Sequence, residues 1–144
     1  MTALYFQDVE IGDDIGPAER VVTTEEVVAF GEIRQQDTGP NRFNDTEVAK
    51  SEGLPGPIVP GAMNIAIMSQ LITGWSPSVT LRLLDVVFRQ VVPHNRPLTL
   101  SGIVTDTNVV DGEGQVECDV FMQNEEGTRL VIARAIAVLP TKSE

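Results

Sequence analysis

The second half of the chain alternates apolar and polar residues with a period of two, which is typical of strands that have one buried face. The apolar positions of the clearest run are Val116, Cys118, Val120 and Met122. The pattern predicts four strands, at about 79–92, 98–110, 115–124 and 128–139. Short turn signals at 111–114 and 124–127 separate the last three, so we expect these neighbours to form antiparallel hairpins.

The first half carries helical signals. A strand over 14–22 precedes a helix that Thr23 opens, with the Thr–x–x–Glu spacing of a capping box, and that ends near residue 36. A short helical segment is expected over 45–51. A second helix at about 61–75 has apolar side chains on nearly all faces and no charge, so we expect it to be buried on most sides.

These elements predict an α+β fold in which a long antiparallel sheet curls around one central helix. The expected core residues of that helix are Met63, Ile65, Ile67, Met68, Leu71 and Ile72. With 144 residues, we expect one domain over 1–144. Hydrophobic residues make up 42% of the chain, enough for a packed core without disulfides or metals.

Charge and cysteine content narrow the class of protein. The formal net charge of −11 argues against nucleic-acid binding and against docking on anionic lipid, since both need basic surfaces. Cys118 is the lone cysteine and the start of the chain lacks the pattern of a signal peptide, so we expect a cytoplasmic protein. No apolar run is long enough to span a bilayer.

The chain has a single histidine, His94, which limits the available chemistry. Zinc sites with several Cys and His ligands are excluded, and we expect neither a metal nor a cofactor. His94 lies between two prolines in a connection between strands, and we expect it to be a surface turn residue.

Four segments resemble, in order, the family of MaoC-like dehydratases, which includes (R)-specific enoyl-CoA hydratases. They are residues 5–13, 56–63, 87–93 and 133–140. The resemblance implies a single hotdog domain, with the sheet wrapped around the helix at about 61–75. It also implies an acyl-CoA or acyl-carrier thioester as ligand. Either a homodimer or a hetero-oligomer with another hotdog subunit is expected.

The family's catalytic pattern is an Asp, four intervening residues and a His. By resemblance, Asp37 matches the Asp, whereas Arg42 stands where the family has the His. A guanidinium cannot accept a proton near neutral pH. If Arg42 lies near Asp37, it should also lower the pKa of that carboxyl group. A structural ion pair is an equally open interpretation of these residues, and ordinary hydratase chemistry by this chain alone is not expected.

The thioester-binding part of the family pattern is kept. The resemblance places the amide that holds the thioester carbonyl at Gly61, and Pro60, Met63 and Asn64 at the substrate. The free amides and positive dipole end of a helix N-terminus favour a developing oxyanion there. Pro-Gly before a helix is also common turn chemistry, so both interpretations remain open.

The leading hypothesis is an acyl-thioester-binding protein of the enoyl-CoA hydratase type with an altered active site. In one version of this hypothesis, the chain is the supporting subunit of a heteromeric hydratase. A homomeric hydratase with a different acid–base arrangement is one alternative. A hotdog thioesterase is another, although residues 61–75 contain no Asp or Glu. The last alternative is a module that binds acyl groups or lipids without catalysis.

Overall fold

A computed structural model describes residues 2–34 and 39–143. Its five strands form one antiparallel sheet in the order β1–β3–β4–β5–β2. The strands are β1 (Asp14–Val21), β2 (Thr80–Phe88), β3 (Pro97–Val110), β4 (Glu113–Gln123) and β5 (Arg129–Leu139). The helices are α1 (Thr24–Ile33), α2 (Thr46–Ser51) and α3 (Gly61–Thr73), after one 3-10 turn at Phe6–Asp8. The predicted α+β fold class is confirmed.

The hairpins lie where the turn residues predict them. Asp111 and Gly112 have φ values of 50° and 80°, as a two-residue type I′ turn requires between twisted strands. At the next turn, the Asn124 side-chain oxygen accepts hydrogen bonds from the amides of Glu126 and Thr128. Local turn chemistry therefore sets the register of β3, β4 and β5.

The start of α1 follows the predicted capping box, and a side chain also caps α2. The Thr23 hydroxyl accepts from the Glu26 amide at 3.2 Å, and the Glu26 carboxylate returns to the Thr23 amide at 3.4 Å, completing the capping box. Asp45 caps α2 by accepting from the amide of Val48 at 3.0 Å. The described part of α1 ends at Ile33, and residues 35–38 lie outside the description.

Helix α3 packs on the sheet with one face only. Its buried residues are Met63, Asn64, Ile67, Met68, Leu71 and Ile72. The prediction that it is buried on most sides was wrong, as was the assignment of Ile65 to the core, since that side chain is 41% exposed. A single sheet covers only the side of a helix that faces it, and Ile65 is not among the buried residues of α3.

Strand β2 is shorter than the predicted 79–92. The amides of both Arg89 and Gln90 bond to the carbonyl of Leu130, at 2.9 and 3.0 Å, which ends the regular ladder with β5 after Phe88. Residues 89–92 therefore leave the sheet as an irregular segment that passes the start of α3. This departure creates a wall of the candidate site.

Cys118 is fully buried in β4, as its place in the alternating pattern predicts. Burial, together with the neighbouring charges of Asp119 and Glu117, raises the pKa of its thiol to about 12. The thiolate is the species that attacks the disulfide of Ellman's reagent, so the native protein should be inert to this reagent at pH 8. When the protein is unfolded in guanidinium chloride, its cysteine should react rapidly and release one equivalent of the coloured thiolate from the reagent. Equal rates in the two conditions would contradict this burial.

Candidate active site

The candidate site is built on the Pro- and Gly-rich loop that leads into α3. The Ile58 amide donates to the carbonyl of Arg42 at 3.1 Å, and the Val59 amide donates to the carbonyl of Val92 at 2.8 Å. Ile58 and Pro93 also form an isolated antiparallel bridge. The loop is thereby fixed between the segment before α2 and the segment after β2, and this fixes the starting point of α3.

His94 adds a side-chain clamp to the same loop. Its Nε2 lies 3.0 Å from the carbonyl oxygen of Ile58, and its Nδ1 lies 3.2 Å from the Thr24 hydroxyl. A carbonyl only accepts, so Nε2–H is the donor, and in the neutral ring Nδ1 accepts from the hydroxyl. The prediction of a simple surface turn residue was incomplete, because the half-buried ring ties the start of α1 to the loop.

The N-terminus of α3 leaves two amides outside the helical hydrogen bonds. The carbonyl of Pro60, the N-cap, accepts from the amides of Met63 and Asn64, both at 3.1 Å. The amides of Gly61 and Ala62 precede these bonds, as in the first turn of any α-helix. Both lie at the positive end of the dipole, where an anion or a polarised carbonyl is stabilised.

A cavity of about 310 Å³ opens at this helix terminus. Gly61 and Asn64 line it from α3, Ile58 and Val59 line it from the loop, and residues 88–92 form the opposite wall. A Cβ atom on residue 61 would lie 3.3 Å from Cζ of Phe88, so glycine allows this close approach of ring and helix. The largely apolar cavity therefore lies at Gly61, the first residue of α3, whose amide precedes the helical hydrogen bonds.

Asn64 is the one polar side chain of α3 that is fully enclosed at this cavity. It is 3% exposed, and its Nδ2 makes a long contact of 3.5 Å with the Val59 carbonyl oxygen. Its Oδ1 is buried and has no hydrogen-bond partner among the described residues. Polar groups inside proteins are nearly always paired, so this atom marks an incomplete site.

A second cavity of about 530 Å³ adjoins the first and shares Ile58, Gln90 and Val91 with it. His94 and Arg96 are among its lining residues. Arg89 lines the first cavity. The arginines within the strands lie elsewhere. Arg20, Arg82 and Arg134 pair with Glu26, Glu113 and Glu117, and Arg129 stacks on Phe121.

The structure brings some of the predicted site residues together. Gly61 and Asn64 share the cavity, and Pro60 caps the helix beside it, whereas Met63 packs into the hydrophobic core. Asp37 lies outside the described residues. None of these contacts tests the roles that the resemblance implies, and those roles remain predictions.

The side chain of Arg42 forms an ion pair with Glu52. Its Nη2 lies 3.1 Å from the Glu52 carboxylate, its guanidinium lies 5.8 Å from the Phe43 ring centroid, and about half of its side chain is exposed. It is absent from the described lining of the cavity at Gly61. The interpretation of Arg42 as a structural ion-pair residue fits this geometry, although the pair with Asp37 is not described.

Within residues 2–34 and 39–143, no helix is both long and apolar enough to cross a membrane. No group of three or more His, Cys, Asp or Glu side chains in that part of the chain is arranged to hold a metal ion.

The hotdog fold is shown by comparison with solved structures. A monoamine oxidase regulatory protein from Archaeoglobus fulgidus superposes with a TM-score of 0.84 at 21% identity, covering 98% of this chain and 97% of its own. The (R)-hydratase of A. caviae involved in PHA biosynthesis has a TM-score of 0.80 at 20% identity, with 93% and 99% covered. A chain of the ChsH1–ChsH2 complex of Mycobacterium tuberculosis superposes with a TM-score of 0.77 at 18% identity. The match covers 90% of this chain and 98% of that one.

The structural neighbours thus include (R)-hydratases and MaoC-like dehydratases, as the resemblance of the four segments predicts. No family model and no curated protein matches the sequence. At these identities the likeness establishes the fold, and the chemistry has to be argued from the site.

The His94 clamp predicts a measurable stability effect. His94→Ala leaves the carbonyl of Ile58 and the hydroxyl of Thr24 without these partners, so we expect a loss of about 1–3 kcal/mol in the free energy of unfolding. His94→Gln keeps one amide donor and should lose less. Urea unfolding of both variants measures this. A midpoint for His94→Ala equal to that of the unmodified chain would refute the clamp.

Proposed function

We propose that this chain binds acyl thioesters in the cavity at the start of α3 and acts in hydratase or dehydratase chemistry of the MaoC-like type. The observation that carries the proposal is the position of Gly61, whose amide precedes the hydrogen bonds of α3, in the lining of a largely apolar cavity of about 310 Å³. A thioester carbonyl is an acceptor joined to an apolar chain, which suits both parts of such a cavity.

In this proposal the Gly61 amide donates to the thioester carbonyl oxygen. When a proton is lost or gained at the α-carbon, negative charge develops on that oxygen, and the helix N-terminus stabilises the enolate. Pro60 positions the amide as the N-cap. Asn64 contacts the substrate from within the cavity, and Met63 supports the acyl chain from the core.

The second cavity gives the polar arm of the ligand a path to solvent. It adjoins the first through Ile58, Gln90 and Val91, and Arg96 stands in it. A CoA or carrier-protein arm bears phosphate, which an arginine binds through its planar donors. The weak 3.5 Å pair of Arg96 with Glu125 lies on the surface and leaves that arginine available for exchange.

Proton transfer is the part of the chemistry that this chain supplies least. We assign Asp37 as the candidate acid–base group by its resemblance alone. Arg42 is paired with Glu52, and His94 is occupied by Ile58 and Thr24, so the chain's one imidazole serves the loop. We therefore infer that the chain is a supporting subunit and that another hotdog subunit provides the missing base.

A hotdog partner is consistent with the surface beside the cavity. Strand β2 is an edge of the sheet and exposes Leu83, Val87 and Phe88, and α3 exposes Ile65. Apolar edge strands are usually paired or covered in stable assemblies. The solved neighbours include two-subunit complexes, ChsH1–ChsH2 and the 3R-hydroxyacyl-ACP dehydratase HadBC.

The role of the Gly61 amide can be isolated with two substitutions. Gly61→Ala keeps the N–H and adds a Cβ beside Phe88, whereas Gly61→Pro removes the N–H and fits the first position of a helix. We expect Gly61→Pro to bind butyryl-CoA about two- to twelvefold more weakly than Gly61→Ala, the value of one hydrogen bond. Calorimetric titration measures both. Equal affinities would exclude the amide from binding.

The supporting-subunit hypothesis predicts that the purified chain hydrates crotonyl-CoA very slowly. Arg42→His should raise the rate by about tenfold or more, since a general acid–base group contributes about 10²–10⁴-fold when correctly placed. The absorbance of the enoyl thioester reports the rate, and Asp37→Ala is the control. Robust turnover by the unmodified chain, abolished in Asp37→Ala, would rule out a purely supporting role.

A further inference from the structure

A third cavity lies between β1 and the C-terminal end of α3, and we call it the β1 cavity. Its volume is about 450 Å³, within the range of small-molecule sites. It shares no described lining residue with the two cavities near His94. Leu71, in its wall, is ten residues along α3 from Gly61, so about 15 Å of helix separates it from the candidate active site. Its apolar lining is formed by Ile15, Ala18, Leu71, Trp75 and Leu100.

A bulge in β1 leaves this space open. The register with β3 shifts between Ile15 and Ala18, where two residues of β1 lie opposite one of β3. Gly16, inside the bulge, has a φ of 78°, which a glycine adopts at little cost. Ala18 then lies opposite the buried Leu100 and brings only a methyl group to the inner face of the sheet. Bulges of this kind commonly adjoin functional sites.

The register of β1 also determines which charge faces the β1 cavity. Arg20 lies opposite Leu98, which is fully buried, so Arg20 is on the side of the sheet that carries α3. Glu19 lies opposite Thr99 and its carboxylate accepts a hydrogen bond from the Thr99 hydroxyl at 3.2 Å, on the outer face. Arg20 is therefore the charged side chain of the lining that is on the inner face.

The guanidinium of Arg20 is only partly used within the described chain. Its Nη2 donates to a Glu26 carboxylate oxygen at 2.7 Å, whereas its Nη1 makes no hydrogen bond to a described residue. The other oxygen of Glu26 accepts from the Thr23 amide and hydroxyl, which holds that carboxylate in place. Both members of the ion pair are about one-third exposed, so the pair is weak and leaves donors for a second acceptor.

Trp75 supplies an apolar ring and a further donor. The side chain is half-buried in the lining, and its indole N–H has no hydrogen-bond partner among the described residues. Tryptophan and arginine side chains donate hydrogen bonds and do not accept them. A ligand for the β1 cavity must therefore present acceptors on an apolar body, and a carboxylate is the acceptor that an arginine binds best.

We propose that the β1 cavity binds an apolar monocarboxylate, with its carboxylate at Arg20 and its hydrocarbon part against Leu71 and Trp75. The site does not depend on the proposed thioester site and needs neither CoA nor a partner subunit. The net charge of −11 opposes anions at long range. At physiological ionic strength, charges beyond about 8 Å are largely screened, so the local arginine decides which ligand binds.

The fluorescence of Trp75 reports on this cavity, since the chain has no other tryptophan. We would titrate the full chain with hexanoate, with hexanamide, which keeps the carbon chain without the charge, and with acetate, which keeps the charge without the chain. Hexanoate should change the emission saturably at millimolar concentration. Hexanamide and acetate should each bind about tenfold or more weakly, because each lacks one of the two interactions.

Two substitutions and a matched control locate the binding. Arg20→Gln removes the charged donors and should weaken hexanoate binding about tenfold or more, measured by calorimetric titration. Ala18→Leu fills the cavity without changing charge and should weaken it at least as much. Arg82→Gln is the control, since Arg82 forms a two-bond pair with Glu113 and is not among the lining residues. It should keep the full affinity. Ala18→Leu also provides the test if Arg20→Gln does not fold.

The possible outcomes separate this site from the one at Gly61. No saturable response to hexanoate at tens of millimolar, equal binding of hexanoate and hexanamide, or an unchanged affinity in Arg20→Gln would each overturn the proposal. Hexanoate binding that is lost in Gly61→Pro but kept in Ala18→Leu would place the carboxylate at the other cavity and overturn it as well. Butyryl-CoA binding should persist in Ala18→Leu, so each proposal can fail without the other.

Discussion

The candidate site depends on the hydrogen bonds that hold the loop before α3 against the segment after β2. Val59 bonds to Val92 through the backbone, and Ile58 is bonded to the imidazole of His94. The loop belongs to no strand or helix over 54–57, so nothing else of regular structure sets its path. Because the same contacts bring residues 88–92 to the helix terminus, one wall of the cavity and the free amides are positioned together.

Local features of the fold could be predicted from the sequence because their causes lie within a few residues. The type I′ turn needs only Asp111 and Gly112, and the start of α1 needs only Thr23 and Glu26. The strict alternation in β4 is visible because each inward residue is apolar. The end of β2 could not be predicted, since it depends on the Leu130 carbonyl, forty residues further along the chain.

The sequence revealed less of the site. Pro60 and Gly61 could be located because a Pro-Gly step before an apolar helix is a local pattern, and the family resemblance supplied its meaning. His94 could not be given its role, since its partners, Ile58 and Thr24, are 36 and 70 residues away. The flanking prolines indicated a rigid turn without indicating what the ring would touch.

The hydrophobic pattern also did not predict which face of α3 is buried. The apolar sequence of α3 looks the same on the side that meets the sheet and on the side that carries Ile65, so hydropathy alone did not separate them. Asn64 could be named from the sequence only through the resemblance, which places it at the substrate. Only the structure shows that one of its two polar atoms lacks a hydrogen-bond partner among the described residues.

Phe88 belongs both to the edge of the sheet and to the wall of the cavity, so a change at one of them can affect the other. It is the last residue of the edge strand β2, and its ring lies against Gly61. A chain that pairs with this edge and shifts the ring changes the shape of the cavity. Thermodynamic linkage then works in both directions: occupancy of the cavity alters the affinity for the neighbouring chain by the same factor. Binding of the neighbouring chain and binding of the ligand would then be thermodynamically coupled.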